Sequence, residues 1–140
     1  MKFTMLKIVL LPLLLTLSFG ASAEVLVVTS AASSLSALSR AQVQQLFTGK
    51  LHEISGQALE PLDLPEDNGV RTEFYKELTG RNAQQMRAYW TQLIFTGRGA
   101  PPRTVGQGSL VSKLHANANY VGYLPAGADT SDLKVLAKLP

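Results

Sequence analysis

The chain has 140 residues, 46% of them hydrophobic and 16% charged, with no cysteine and a formal charge of +3. That length supports one core, and the missing cysteines exclude a disulfide scaffold or a thiolate-held metal. The charge forms no Lys/Arg run and no basic stripe with interleaved aromatics, so no nucleic-acid partner is expected.

The chain opens with Lys2 and Lys7 as a basic start, an almost wholly apolar stretch from Ile8 to Phe19, and the small-residue pattern Ala21-Ser22-Ala23. This is the grammar of a secretory signal, and the apolar run is shorter than the roughly 20 residues a spanning helix needs. Residues 1–23 are expected to be removed and residues 24–140 to form a single periplasmic domain. Without Lys2 and Lys7, eleven basic side chains face ten acidic ones, so the positive charge says little about an anionic partner. An exported domain with no disulfide must be held by packing alone, which suits a bacterial periplasm.

Glu24 to Ser30 is a β-branched apolar run and predicts a buried strand. Ala31 to Leu38 reads as a loop. Ser39 with Gln42 predicts a capping box, with Val43, Leu46 and Phe47 as the inward face of a short helix closed by Gly49. Lys50 to Gln57 reads as a loop holding His52 and Glu53. Leu59, Leu62 and Leu64 predict a short strand interrupted by Pro61. Pro65 to Gly69 is dense turn chemistry, and Val70, Phe74 and Leu78 at four-residue steps predict a helix ending at Gly80.

Asn82 with Gln85 is a further capping signal, opening a helix whose stripe is Met86, Tyr89, Trp90 and Leu93; the two aromatics read as core. Gly97 to Gly108 is an irregular loop rich in Gly, Pro and Arg. Ser109 to His115 predicts a short helix, Asn119 to Leu124 a strand, Asp129 to Asp132 a turn, and Leu133 to Leu136 a last strand at a sheet edge. Strands separated by helices predict an α/β fold: a mixed, largely parallel sheet flanked by helices.

The residues offer little catalysis. His52 and His115 are far apart, with no ligand spacing between them, so no metal is expected. No serine lies in a nucleophile elbow, and Glu66 and Asp67 at a helix entry read as dipole partners before an acid/base pair. No cofactor is called for. The sharper possibility is an anion site where the strand feeds the helix. Asn68, Gly69 and Val70 present its first N–H groups and Arg71 adds a guanidinium, although Glu66, Asp67 and Glu73 crowd the same end. A second helix entry, Gly106 to Ser109 with Gly108 and Ser109 in its first turn, is the other candidate. Arg98 and Arg103 in the Gly/Pro loop read as solvated.

In combination, LSRAQVQQLFTGK, PEDNGVRTEFYKELTG, AYWTQLIFTGRGAPP and NYVGYLP resemble the substrate-binding proteins of phosphate ABC transporters, and more narrowly their short, single-lobe members. The similarity runs from about Val25 to Pro125. It implies one lobe of a type II periplasmic binding protein, non-enzymatic, with a ligand surface at Asn68, Gly69, Val70 and Arg71 and with Gly108 and Ser109 nearby. Such a lobe would bind a small anion or other small solute, alone or as a homodimer of two lobes. The family's arginine position falls on Leu64, its acid on Glu66, and its Ser-Gly-Thr trio on Asn68, Gly69 and Val70, so only the glycine is kept. The missing guanidinium and hydroxyls tell against phosphate itself. They leave open a second reading, an accessory protein that docks on a membrane transporter or sensor component.

Overall fold

The computed structural model describes residues 24–140. The expected signal at residues 1–23 lies outside them. The elements are β1 (Val25–Ser30), α1 (Arg40–Phe47), β2 (Glu53–Ile54), β3 (Gln57–Ala58), β4 (Glu60–Asp63), α2 (Gly69–Thr79), α3 (Ala83–Phe95), β5 (Arg103–Thr104), α4 (Gln107–Ala116), β6 (Tyr120–Pro125) and β7 (Leu133–Leu139).

Five strands form one sheet in the order β5-β4-β6-β1-β7. β4 pairs parallel with β5 and with β6, whereas β1 pairs antiparallel with β6 and β7. Four strands therefore run one way and β1 alone runs back, which is the mixed, largely parallel sheet the sequence predicts. β1 is buried at every position, as its unbroken apolar run requires in a sheet covered on both faces.

Side chains alternate along β6 and sort the helices between those two faces. Tyr123 stacks on Phe74 of α2 with ring centroids 3.9 Å apart, and Phe47 of α1 meets Phe74 edge-on at 4.8 Å. On the opposite face Gly122 admits α4. A β-carbon there would lie 3.0 Å from Leu110 Cδ1, so any larger residue at this point of NYVGYLP would oblige the Leu110 side chain to shift.

Both predicted helix starts form, each as a capping box. Ser39 Oγ accepts from the Gln42 N–H at 3.1 Å while Gln42 Oε1 accepts from the Ser39 N–H at 2.9 Å, and Asn82 and Gln85 repeat the exchange at 2.9 Å each way. Gly80 stops α2 with φ of 73°. Trp90 is buried, and Tyr89 is half-buried with its hydroxyl donating to the Thr48 carbonyl at 2.6 Å, so both aromatics serve the core.

The structure differs from the sequence reading in short elements. Lys50–Gln57 is not wholly loop: β2 and β3 pair around Ser55 and Gly56, both at positive φ, as a tight hairpin turn requires. Within the Gly/Pro loop, β5 adds two residues beside β4. α4 begins at Gln107, two residues before the expected Ser109. β7 is the edge strand expected, and it runs on to Leu139. Its outer side is partly covered: Leu38 N–H donates to Leu136 O at 2.9 Å, and Lys134 Nζ reaches the Ser33 and Leu35 carbonyls. These contacts blunt an edge that would otherwise template strand pairing.

Candidate functional site

Parallel strands place their carboxyl ends, and the helix N-termini that follow, on one side of a sheet, where open α/β folds hold their ligands. Here β4 ends at Asp63 and feeds α2, β5 ends at Thr104 and feeds α4, and β6 ends at Pro125 beside the start of β1. A cleft of about 380 Å³ lies there, lined by Glu24, Val25, Asn68, Gly69, Val70, Glu73, Gln107 and Pro125. Three predicted site residues, Asn68, Gly69 and Val70, thus share one concavity.

Asn68 organises that mouth. Its Oδ1 accepts from the Val70 N–H at 2.9 Å and from the Arg71 N–H at 3.4 Å, and its Nδ2 donates to Gln107 Oε1 at 2.8 Å. One side chain caps α2 and ties it to the first residue of α4. Two of the N–H groups that would face an incoming anion, those of Val70 and Arg71, are already turned onto an amide oxygen. α4 differs: its N-cap is Gly106, which supplies no side-chain cap. Gly108 and Ser109 lie exposed in its first turn, beside Gln107 but outside the residues that line the cleft.

Arg71 does not join the mouth. It is buried, and its Nε donates to Asp63 Oδ2 at 3.2 Å. The reason is helical phase: the inward stripe of α2 is Arg71, Phe74, Tyr75 and Leu78, which leaves Val70 half-buried at its margin. Leu64, on which the family's arginine position falls, is core.

Asp63 is the centre of a closed polar knot. Its Oδ1 accepts from the Leu64 N–H at 2.9 Å and from the Tyr123 hydroxyl, and its Oδ2 accepts from Arg71 Nε and from the Tyr75 hydroxyl at 3.0 Å. The Arg71 guanidinium also lies 4.9 Å from the centre of the Tyr75 ring. Burial alone would lower the Arg71 pKa, but the Asp63 charge and hydrogen bond outweigh it and hold the guanidinium above its ordinary value. Burial, then Asp63, raises both phenols well above theirs. Sequence reasoning missed this centre. An aspartate at a strand end reads as turn chemistry, and the available signal was its placement eight residues before an arginine on the buried helix stripe.

The remaining charges near the mouth are acidic or paired. Glu24 and Glu73 line the cleft, and Glu66 forms an ion pair with Arg87 of α3. His52 sits at a separate cavity of about 130 Å³ with Glu60, Pro101 and Arg103, and Arg103 pairs with Glu60 at 3.4 Å. His115 and Arg98 are exposed. Among the described residues, no group of three or more His, Asp or Glu side chains converges as a metal site, and no helix is long and apolar enough to cross a membrane.

No family model and no curated protein matches the chain. Solved structures do. An ABC-type phosphate transport receptor from Vibrio cholerae superposes with a TM-score of 0.62 at 16% identity, over 81% of this chain and 46% of that one. A structure from Clostridium perfringens with bound phosphate, described as a phosphate ABC transporter substrate-binding protein, gives 0.63 at 14% identity, over 81% and 45%. PstS from Borrelia burgdorferi gives 0.59 at 14%, over 82% and 47%. The fold is therefore that of one lobe of a periplasmic binding protein, and the chain spans about half the length of each of these structures.

Proposed function

We propose that this chain is a non-catalytic, periplasmic binding module, exported through residues 1–23, which recognises a small solute at the cleft between the entries of α2 and α4. The observation that carries the reading is the Asn68–Gln107 bridge, which joins two helix entries across a cleft at the carboxyl ends of parallel strands. A fold alone does not fix a ligand, so the solute class is argued from the lining. Val25, Val70 and Pro125 give apolar wall, Asn68 and Gln107 give amides, and Glu24 and Glu73 give negative charge. This lining disfavours a dianion. The phosphate named for the structural neighbours is a poor fit here, because the Asn68 cap has taken the Val70 and Arg71 N–H donors of α2 and the Arg71 side chain faces inward.

Native mass spectrometry of protein purified from the periplasm tests the reading, followed by ¹⁵N titration with whatever solute co-purifies. Asn68, Gly69, Val70 and Gln107 amides are expected to move together, and Asn68→Ala to weaken the response. A solute that shifts none of these amides, or a protein that carries no solute at all, would contradict it.

A second reading is favoured by a separate observation. Ile94 and Phe95 at the end of α3 are 56% and 90% exposed, and exposed large apolar side chains suit a contact with another protein. In that reading the module docks on a membrane transporter or sensor component. Phe95→Ser would then abolish recovery of that component in pull-downs without altering the fold.

A further inference from the structure

We infer that the knot behind the α2 entry is a carboxylate-binding site whose ligand is the chain's own Asp63. The donors around Asp63 are those a bound oxyanion would need: one guanidinium N–H, two phenol O–H groups and one backbone N–H. They come from three places in the fold, α2, β6 and the end of β4, and they converge on two oxygens. Asp63 is 3% exposed, Arg71 9%, Tyr75 1% and Tyr123 0%. A buried carboxylate is tolerated only when its lone pairs are met and its charge is balanced, and both conditions hold here. Arg71 is therefore committed inside the fold. Any solute in the adjacent cleft is recognised without it, and this inference stands whether or not the cleft binds one.

The site becomes open to small external carboxylates when its resident is shortened. Asp63→Ala removes the carboxyl group and leaves space of formate size; Asp63→Gly removes the β-carbon too and admits acetate. Truncating one partner of a buried pair is expected to lower the thermal midpoint by roughly 10–20 °C. Formate at about ten times its dissociation constant should then raise the Asp63→Ala midpoint by about 5 °C, with chloride at equal ionic strength as the control. Asp63→Asn, which keeps the seat filled, should show no such rise.

A folded Asp63→Ala protein that formate does not stabilise beyond chloride would overturn the inference. So would a midpoint equal to that of the native protein, or an equal formate response in Asp63→Asn. Should the truncated variants not fold, the native protein decides. With ¹⁵N-labelled arginine, the Arg71 Nε–H signal is expected to stay unmoved by millimolar phosphate or acetate, and a saturable shift would show that Asp63 can be displaced and the inference is wrong.

Discussion

The first turn of α2 has two sides, and they spend their polar groups differently. Inside, Asp63, Arg71, Tyr75 and Tyr123 form a knot in which charge meets charge away from water. Outside, on the same turn, the cleft has amides, apolar wall and two carboxylates, and the Val70 and Arg71 N–H groups are capped by Asn68. In this scaffold the guanidinium beside the α2 entry is committed to the interior. A guanidinium near a helix entry is thus not evidence of an anion site until its partner is known.

The contrast breaks most sharply at the knot. Arg71→Ala leaves Asp63 buried without its counter-charge and should cost about 3–5 kcal/mol, read as a fall in the denaturant midpoint. The paired change Asp63→Leu with Arg71→Met should cost less than either single truncation, because no charge is stranded. If Arg71→Ala instead left stability intact and changed only ligand binding, the two sides would have been assigned the wrong way round.

The phenols give the next effect, and it depends on pH. Burial and Asp63 raise both pKa values above the ordinary 10.0. The folded protein keeps protons that the unfolded chain releases, so this contribution is whole below about pH 10 and is lost as pH rises beyond it, by up to about 1.4 kcal/mol per pH unit for each phenol. Tyr123→Phe should cost about 1 kcal/mol at neutral pH and flatten the alkaline fall. Denaturant midpoints between about pH 9 and 12 measure that slope; an unchanged slope would remove Tyr123 from the knot's electrostatics.

The helix entries supply the smallest effects, and they are opposite in sign. Asn68→Ala should destabilise by about 1 kcal/mol through loss of the α2 cap. Gly106→Ser should stabilise α4 by a few tenths of a kcal/mol. Gly106 has extended backbone with φ of −64° and ψ of 146°, and a β-carbon there meets nothing within 4 Å. Thermal midpoints of the two variants compare the capped and uncapped entries directly.

Much of this architecture was legible in local residue patterns. Ser39 with Gln42 and Asn82 with Gln85 each announce a helix start, because a cap is made within four residues. The β1 run declares its burial in the same way. What was hidden depends on how separate elements pack together. Arg71 looks solvent-facing beside Glu73, and only the β4–α2 and β4–β6 packing brings it to Asp63 and brings Tyr123 to the same carboxylate. β2, β3 and β5 are two residues each, too short for any periodicity to show, and neighbouring backbone defines them. The cleft had a partial signal: Asn68 read as a helix entry, but its bond to Gln107 spans 39 residues.

Calorimetric titration of the purified protein with inorganic phosphate tests most directly whether Arg71 is reserved for the interior of the fold. No saturable heat is expected, with Asp63 in place and Arg71 turned inward. One-to-one binding at micromolar phosphate, abolished by an Arg71 substitution that leaves the protein folded, would contradict the account.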